Sequence, residues 1–321
     1  MTSSPLLSTV SVTHIPADCG CMIPGTSKAP EAFRAAGLIT KLNRVGIATE
    51  EHHALGSPAR YSVTDFGLGS VRNLSLNVDV CSRVYATLAS SISASSEFFP
   101  PFHLVIGGEH CQLQPVLAAL ARSQRYSRKG IGLICINTDL DLSSPTDADS
   151  HGYFASMVTT YLLQLPGSLK EMEQYSRPDG RALCDACNMF FLGTSTSNSG
   201  NKPEHISYIL DHGFEVISSK ALASGPEGAA RSALAYFQDE VDAIFVHLDV
   251  DSIDARLFPL ANVPSFTGIG FEEMMRAVSV LVRSQMVCGL MITEVNPDHD
   301  PELEMVTRLT DNIVEMLSKR E

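Results

Sequence analysis

Three oxygen-bearing side chains stand on alternate positions directly after a short apolar run at 131–136. They are Asn137, Asp139 and Asp141, and alternate side chains of an extended chain share one face. Open α/β sheets place their ligands just beyond the carboxyl ends of their strands. His151, ten residues after Asp141, is a candidate proton-transfer group. Because Asp, Ser, Pro and Thr are also typical of solvated turns, this stretch alone leaves a metal site and an acidic loop as alternatives.

In three further stretches, an apolar strand is followed by side chains that can bind cations. In HLVIGGEH, two glycines permit a tight turn that leaves His110 over the sheet edge. In FVHLDVDSID, the alternate carboxylates Asp249 and Asp251 repel each other unless a cation or hydrogen bonds compensate. In MITEVNP, the strand delivers Glu294. Carboxylates with some imidazole suit Mn²⁺ or harder divalent ions, so the four stretches together predict a metal site.

Apolar strand patterns alternate with helical patterns along the chain. Strands are predicted at 10–16, 102–106, 131–136, 189–192, 214–217, 243–248 and 288–293. Helices are predicted at 29–37, 71–91, 114–122 and 153–165. Such alternation predicts an α/β fold with a parallel sheet and helices on both faces. No internal repeat, low-complexity segment or linker divides the sequence, so we expect a single domain over residues 1–321.

The composition argues against several classes of function. The chain has 321 residues, of which 44% are hydrophobic, enough for a substantial core. A net charge of −13 without basic runs argues against a nucleic-acid partner, and no apolar segment reaches membrane-spanning length. The N-terminus lacks the pattern of a secretory signal. The eight cysteines show neither a disulfide framework nor the paired spacing of a zinc site, so we expect a cytoplasmic protein.

The motifs resemble those of the ureohydrolase family, which includes arginases, agmatinases and formiminoglutamases. GGEHC is similar to the family's GGDHS, NTDLD to DAHxD, LDVDSID to FDxDxxDP, and TEVNP to xEVNP. PEAFRAAGLITKL resembles the family's first helix and TRLTDNIVEML its last, so the resemblance covers nearly the whole chain. It implies a three-layer α/β/α fold with a mostly parallel central sheet, two Mn²⁺ ions, a small guanidino substrate, and a homotrimer or homohexamer.

The resemblance implies a set of metal-ligand positions, two of which depart from the family. They are His110, Asn137, Asp139, Asp141, Asp249 and Asp251. The family's central motif supplies Asp, His and Asp, so Asn137 and Asp139 are the replaced positions. An amide offers one neutral oxygen and has little capacity to bridge two ions, and Asp139 replaces the imidazole that serves the second ion. We therefore expect Mn²⁺ as the cofactor, with fewer than two tightly held ions.

The resemblance also implies roles for the catalytic residues. Asp141 would orient the water that attacks the guanidinium carbon, and the metal would lower the pKa of that water. His151 would pass a proton to the leaving amine, Glu294 would pair with the guanidinium, and Asp249 would bridge the ions. Hydrolysis of a guanidino or amidino C–N bond is the function that these residues favour. The alternatives are a metal-deficient, non-catalytic paralogue with an assembly or regulatory role, and hydrolysis of a different C–N bond such as an amide.

The substrate-binding positions differ from those that the resemblance implies for an arginase. The expected substrate-binding residues are Ser143, Asp147, Asp149, Thr196, Asn198 and Glu294. Asp147 and Asp149 lie where an arginase carries neutral groups for the substrate carboxylate, and two acids disfavour that carboxylate. Thr196 and Asn198 stand where an arginase places acids for the α-amino group. The short loop before the His-Gly pair resembles that of agmatinases, so we expect an agmatine-like substrate rather than arginine.

Overall fold

The computed structural model of the protein describes residues 7–65, 71–95 and 100–320. The strands in these ranges are β1 Thr9–Ile15, β2 Ala17–Asp18, β3 Ala48–His53, β4 Ala59–Arg60, β5 Phe102–Gly107, β6 Ile131–Ile136, β7 Met189–Thr194, β8 Glu215–Ser218, β9 Ala243–Asp249 and β10 Val287–Thr293. The helices are α1 Ala29–Ala35, α2 Leu38–Arg44, α3 Leu74–Ala94, α4 Leu113–Ala121, α5 Val158–Leu162, α6 Lys170–Glu173, α7 Pro203–Asp211, α8 Ser219–Ser224, α9 Pro226–Tyr236, α10 Phe271–Arg283 and α11 Glu304–Ser318. None of these helices combines the length and the apolar character needed to cross a membrane.

The central sheet has eight strands in the order β3-β1-β5-β10-β9-β6-β7-β8. Every strand pair described in this sheet is parallel, which confirms the predicted sheet type. The short strands β2 and β4 form a separate parallel pair. The edge strand β3 was not predicted because its sequence, ATEEHH, is polar and its side chains are largely exposed. Apolar runs in a sequence indicate buried strands, so they do not reveal a polar edge strand such as β3.

Helices cover both faces of the sheet and enclose two hydrophobic cores. One core contains apolar side chains of α1, α2 and α8 to α11, and the other contains those of α3 to α7. Along β9, Val246 and Leu248 belong to the first core, whereas Phe245 belongs to the second. This alternation follows from the two-residue period of a strand. The predicted three-layer α/β/α architecture is therefore confirmed.

The predicted helices differ from the observed ones mainly at their ends. The helix predicted at 71–91 is α3, whose buried face includes Val80, Val84 and Leu88 at helical spacing. The helix predicted at 153–165 is a 3₁₀ turn, Phe154–Met157, followed by the short helix α5. Hydrophobic spacing marks the presence of a helix, whereas its boundaries depend on local hydrogen bonds that the spacing does not encode.

Four adjacent strands at the centre of the sheet carry the four polar motifs. β5, β10, β9 and β6 are neighbours in that order. Near their carboxyl ends Ile106 pairs with Ile292, Ile292 with Leu248, and Leu248 with Ile136. Because these strands are parallel and in register, the polar residues that follow them emerge at one edge. The topology thus brings together motifs that are far apart in the sequence.

Gly108 lies directly after β5, and a substitution at this position tests how closely this edge of the sheet is packed. A Cβ at this position would lie 1.9 Å from the backbone carbonyl oxygen of Ala17. Because a carbonyl of the main chain has little freedom to move aside, we expect Gly108→Ala to lower the free energy of unfolding by about 1–3 kcal/mol. Urea unfolding followed by circular dichroism measures this change.

Gly228 in α9 provides the matched control. A Cβ there meets no atom within 4 Å, so Gly228→Ala is expected to leave the protein as stable or to stabilise it by up to about 1 kcal/mol. A Gly108→Ala variant as stable as the wild type would show that the loop carrying His110 is packed less tightly than described.

Candidate metal centre and active site

His110 lies at the centre of the polar group at the sheet edge. Its Nδ1 is 3.0 Å from Oε1 of Glu294 and 3.3 Å from Oδ2 of Asp249. Its Nε2 is 3.4 Å from Oδ2 of Asp141 and 2.9 Å from the carbonyl oxygen of Ala155. Since a carbonyl only accepts, Nε2 carries a proton and donates it to Ala155. Metal-binding histidines commonly donate one ring nitrogen to a neighbour in this way while the other faces the ion.

Two of the acids around His110 have an uncommon backbone conformation. Asp141 has a φ of 49° and Glu294 a φ of 64°, both in the left-handed region. Non-glycine residues are uncommon there and cost on the order of 1 kcal/mol each. Hydrogen bonds hold both residues in place: the Glu294 N–H donates to Gly108 O at 2.7 Å, and the Thr159 N–H donates to Asp141 O at 3.2 Å. The surrounding structure therefore holds the backbone from which both carboxylates extend.

The carboxylates of this group strongly affect one another. Burial raises the pKa of Asp141 to about 7, and neighbouring acids add to the effect. Burial, followed by the charge of Asp249, holds the pKa of Asp251 well above its usual range. Burial also raises the pKa of Glu294. It raises the pKa of Asp139 as well, where His110 and a hydrogen bond from Asn198 oppose it.

His110 and Asp249 form a charged pair within this group. Burial opposes the charge on His110, but Asp141, Asp249 and Glu294 outweigh burial and hold the pKa of His110 well above its usual value. Burial also opposes ionisation of Asp249, but the hydrogen bond and charge of His110 lower the pKa of that carboxyl. One imidazolium does not neutralise all the surrounding acids. The remaining carboxyl groups must therefore hold protons or meet another cation.

Two buried oxygens within the described part of the site identify where a cation fits. Oδ1 of Asp139 and Oδ1 of Asp251 are buried without a hydrogen-bond partner, and such an oxygen costs free energy unless a proton or cation meets it. His110, Asp249 and Glu294 also each offer a ligand atom, and the three atoms lie within 4.8 Å of one another. A set of carboxylate oxygens with one imidazole nitrogen fits a divalent ion of the Mn²⁺ type.

Asn137 faces the site with its amide nitrogen. Its Oδ1 accepts a hydrogen bond of 2.9 Å from the Asp139 N–H, and its Nδ2 donates to Oδ2 of Asp141 at 3.0 Å. Because the backbone N–H only donates, rotating the amide by 180° would bring two donors together. The hydrogen bond from the Asp139 N–H therefore fixes the amide of Asn137 with its Nδ2 directed towards Asp141. This orientation supports the expectation that Asn137 does not bridge two metal ions.

His151 lies at the protein surface. Its carbonyl oxygen accepts a hydrogen bond of 3.0 Å from Nε of Arg72, and its ring centroid is 6.4 Å from that of Tyr153. None of the contacts described for this chain joins its ring to His110 or to the acids around it. Any proton transfer by His151 would therefore require a substrate that extends to the surface, or a movement of its loop.

The acidic loop carries a counter-charge that sequence reasoning missed. Nζ of Lys202 lies 2.7 Å from Oδ1 of Asp149 and 3.9 Å from Oδ2 of Asp147. Ser143, at the start of the same loop, is half-buried, and its carbonyl oxygen accepts a hydrogen bond from Oγ1 of Thr160. The loop is therefore less negative than its own residues imply. No local sequence pattern could reveal this contact, since Lys202 lies more than fifty residues further along the chain.

Thr196 and Asn198 have different surroundings. Thr196 is exposed, whereas Asn198 is half-buried and donates from Nδ2 to Oγ1 of Thr138 at 3.4 Å. Asn198 also lies beside Asp139. Gly200 leaves room for that carboxylate, because a Cβ at Gly200 would lie 2.4 Å from Oδ1 of Asp139. Of these two substrate-binding candidates, the structure therefore places Asn198 next to a metal-ligand candidate.

Glu109 is a buried acid that the sequence analysis treated only as part of a motif. Its carboxylate accepts hydrogen bonds from the N–H groups of Cys19 at 3.0 Å and Gly20 at 2.8 and 2.7 Å. Burial, followed by the charge of Glu294, raises the pKa of Glu109 to about 7. These bonds connect the loop after β2 to the turn that carries His110. An acid directly before His110 in an otherwise apolar stretch was the available signal.

Known proteins share both the sequence pattern and the fold of this chain. Residues 8–318 match the model of the Arginase family. The arginase of Bacillus caldovelox is 22% identical over 292 residues, which cover 90% of this chain and 91% of that protein. The structure of Entamoeba histolytica arginase in complex with L-ornithine has a TM-score of 0.82 at 16% identity, covering 98% of this chain and 99% of the other. The proclavaminate amidino hydrolase of Streptomyces clavuligerus has a TM-score of 0.68 at 16% identity, covering 98% and 93%. The resemblance to ureohydrolases is therefore confirmed, and the chain belongs to the arginase family.

Proposed function

We propose that this protein is a metal-dependent hydrolase of a guanidino or amidino C–N bond in a small cationic substrate. Members of the arginase family are hydrolases of C–N bonds. The observation that carries the proposal is the group formed by His110, Asp141, Asp249 and Glu294 at the carboxyl ends of neighbouring strands. The group combines buried carboxylates that need a cation with an acid suited to a guanidinium, which is the combination that such a hydrolysis requires.

In this proposal His110, Asp141 and Asp249 hold one divalent ion of the Mn²⁺ type. Such an ion, when bound, supplies the Lewis acidity that makes water nucleophilic near neutral pH. Asp141 orients that water, because its carboxylate lies within the group, with Oδ2 3.4 Å from Nε2 of His110. Asp139 and Asp251 hold protons or a weakly bound second ion. His151 passes a proton to the leaving amine when its loop or the substrate brings the two together.

Glu294 binds the head of the substrate in this proposal. Both of the hydrogen bonds described for its carboxylate, from the His110 N–H and from the His110 ring, end on Oε1. Oε2 is then the oxygen that accepts an N–H of the guanidinium. A planar cation paired with a carboxylate forms strong, directional hydrogen bonds, so Glu294 selects a guanidinium or amidinium head.

The proposed tail of the substrate is neutral or cationic rather than that of an amino acid. Thr196 and Asn198 have no charge with which to bind an α-amino group. Asp147 and Asp149 disfavour a carboxylate, although the contact with Lys202 reduces their effect. The proposed preference for an agmatine-like substrate over arginine therefore depends more on Thr196 and Asn198 than on the acidic loop.

We further propose that the whole chain acts as one cytoplasmic domain and assembles as a homotrimer or homohexamer. Leu257, Val263 and Phe266 are exposed in one connection between β9 and α10, at 62, 53 and 60%. A connection that exposes several large apolar side chains favours a protein contact. Light scattering at micromolar concentration is expected to give a mass of at least three chains. A monomeric mass would exclude this assembly.

The metal stoichiometry is expected to be below two per chain. Asn137 directs N–H groups into the site, so the carboxylate that would hold two cations close together is missing. Elemental analysis after equilibrium dialysis against Mn²⁺ should give at most one tightly held ion. The double substitution Asn137→Asp with Asp139→His should raise the content towards two. Asp149→Asn, which changes an exposed acid of the same stretch, should leave the content unchanged, and two ions on the wild-type protein would contradict this account.

The substrate preference is tested by comparing agmatine with arginine. In the Mn²⁺-loaded protein we expect a larger kcat/KM for agmatine. Glu294→Gln should reduce turnover by at least about a hundredfold, because an amide does not neutralise the guanidinium. Glu302→Gln, which alters an exposed acid, is the matched control and should retain activity. Equal or faster turnover of arginine would overturn the preference, and failure to hydrolyse any guanidino compound would favour the non-catalytic alternative.

A further inference from the structure

A row of buried polar side chains lies beneath Asp249 on three adjacent strands. Cys135 of β6 is paired in register with His247 of β9, and Asp249 of β9 is paired with Thr293 of β10. Sγ of Cys135 is 3.6 Å from Nδ1 of His247, and Nε2 of His247 is 2.8 Å from Oγ1 of Thr293. Oγ1 of Thr293 is 3.2 Å from Oδ2 of Asp249. The side chains therefore form a continuous hydrogen-bonded row that ends on a metal-ligand candidate.

The positions of the protons in this row follow from the groups at its ends. Asp249 faces donors on both oxygens: the Asp251 N–H lies 3.0 Å from Oδ1, and the His110 ring lies 3.3 Å from Oδ2. The carboxylate therefore accepts, and Thr293 must give its single hydroxyl proton to Asp249. Thr293 is then left to accept from His247, so His247 carries its proton on Nε2.

The other end of the row agrees with this assignment. With its proton on Nε2, His247 has a lone pair on Nδ1, which faces the thiol of Cys135. Burial raises the pKa of Cys135, so its S–H group stays protonated and can donate. Cys135, His247 and Thr293 each donate to the next group in the row. Every polar atom along it thus has a partner in a region where His247 and Thr293 are almost completely buried.

We propose that Thr293 and His247 are positioning residues, which fix the direction of the Asp249 carboxylate for metal binding. Asp249 receives one bond from Thr293 at Oδ2 and one from the Asp251 N–H at Oδ1, and these two bonds prevent rotation of the carboxylate. Oδ2 also lies 3.3 Å from Nδ1 of His110. Partners that orient a metal ligand commonly contribute ten- to a hundredfold to metal affinity. This inference rests on the proposed metal-dependent function.

The substitution Thr293→Val tests the role of the hydroxyl with little change in side-chain volume. It removes the donor to Asp249 and the acceptor for His247, so we expect Mn²⁺ affinity, measured by calorimetry, to fall about ten- to a hundredfold. Thr293→Ser keeps the hydroxyl and should stay within about threefold of the wild type. Cys135→Ala changes the same row without altering a bond to Asp249, and it should also stay within about threefold.

A second measurement examines the row without any metal. In metal-free protein labelled with ¹⁵N-histidine, the ring nitrogen shifts should show His247 with its proton on Nε2. A proton on Nδ1 in the wild-type protein would overturn the inference, as would unchanged Mn²⁺ affinity in folded Thr293→Val. If the wild type binds no Mn²⁺, the proposed function fails, and the tautomer then decides whether the row orients Asp249. If Thr293→Val does not fold, the tautomer of His247 in the wild-type protein again decides whether the row orients Asp249.

Discussion

The burial of carboxyl groups around a single imidazole is the constraint on which the rest of the site depends. Two unit charges 4 Å apart interact by about 4 kcal/mol near a protein surface, so the acids around His110 cannot all be ionised without compensation. Burial, with a further contribution from neighbouring acids, raises the pKa values of Asp141, Asp251 and Glu294. Divalent metal binding would replace the protons that these groups hold, so metal affinity and proton release are coupled.

The parallel sheet creates this concentration of charge and also makes it tolerable. Neighbouring strands lie about 4.8 Å apart, so groups that follow β5, β10, β9 and β6 meet at one edge whatever their separation in the sequence. The two hydrophobic cores hold the strands in place against the repulsion. Asn137 modifies the balance, because it replaces a carboxylate with N–H donors that face Asp141. The proposed consequence is that the site holds fewer cations than two bridging carboxylates would hold.

The sequence predicted the parts of the structure that depend on local patterns. Apolar runs followed by polar residues identified the central strands and the group around His110, because buried strands and strand-end ligands have recognisable compositions. The contacts of Lys202 with the acidic loop and of Thr293 with His247 were not predictable, since they depend on long-range packing and on register between strands. The surface position of His151 likewise depends on how its loop folds rather than on its own sequence. The orientation of the Asn137 amide required the observed turn.

The central claim is that this group of acids binds a divalent cation at a position defined by His110, Asp141 and Asp249. Anomalous diffraction from crystals grown with Mn²⁺, recorded on either side of the manganese absorption edge, tests it most directly. The account predicts one strong peak in contact with these three side chains, with the Asn137 amide nitrogen still directed at Asp141. Two equally strong peaks bridged by the Asn137 oxygen, or no peak at this edge of the sheet, would contradict it.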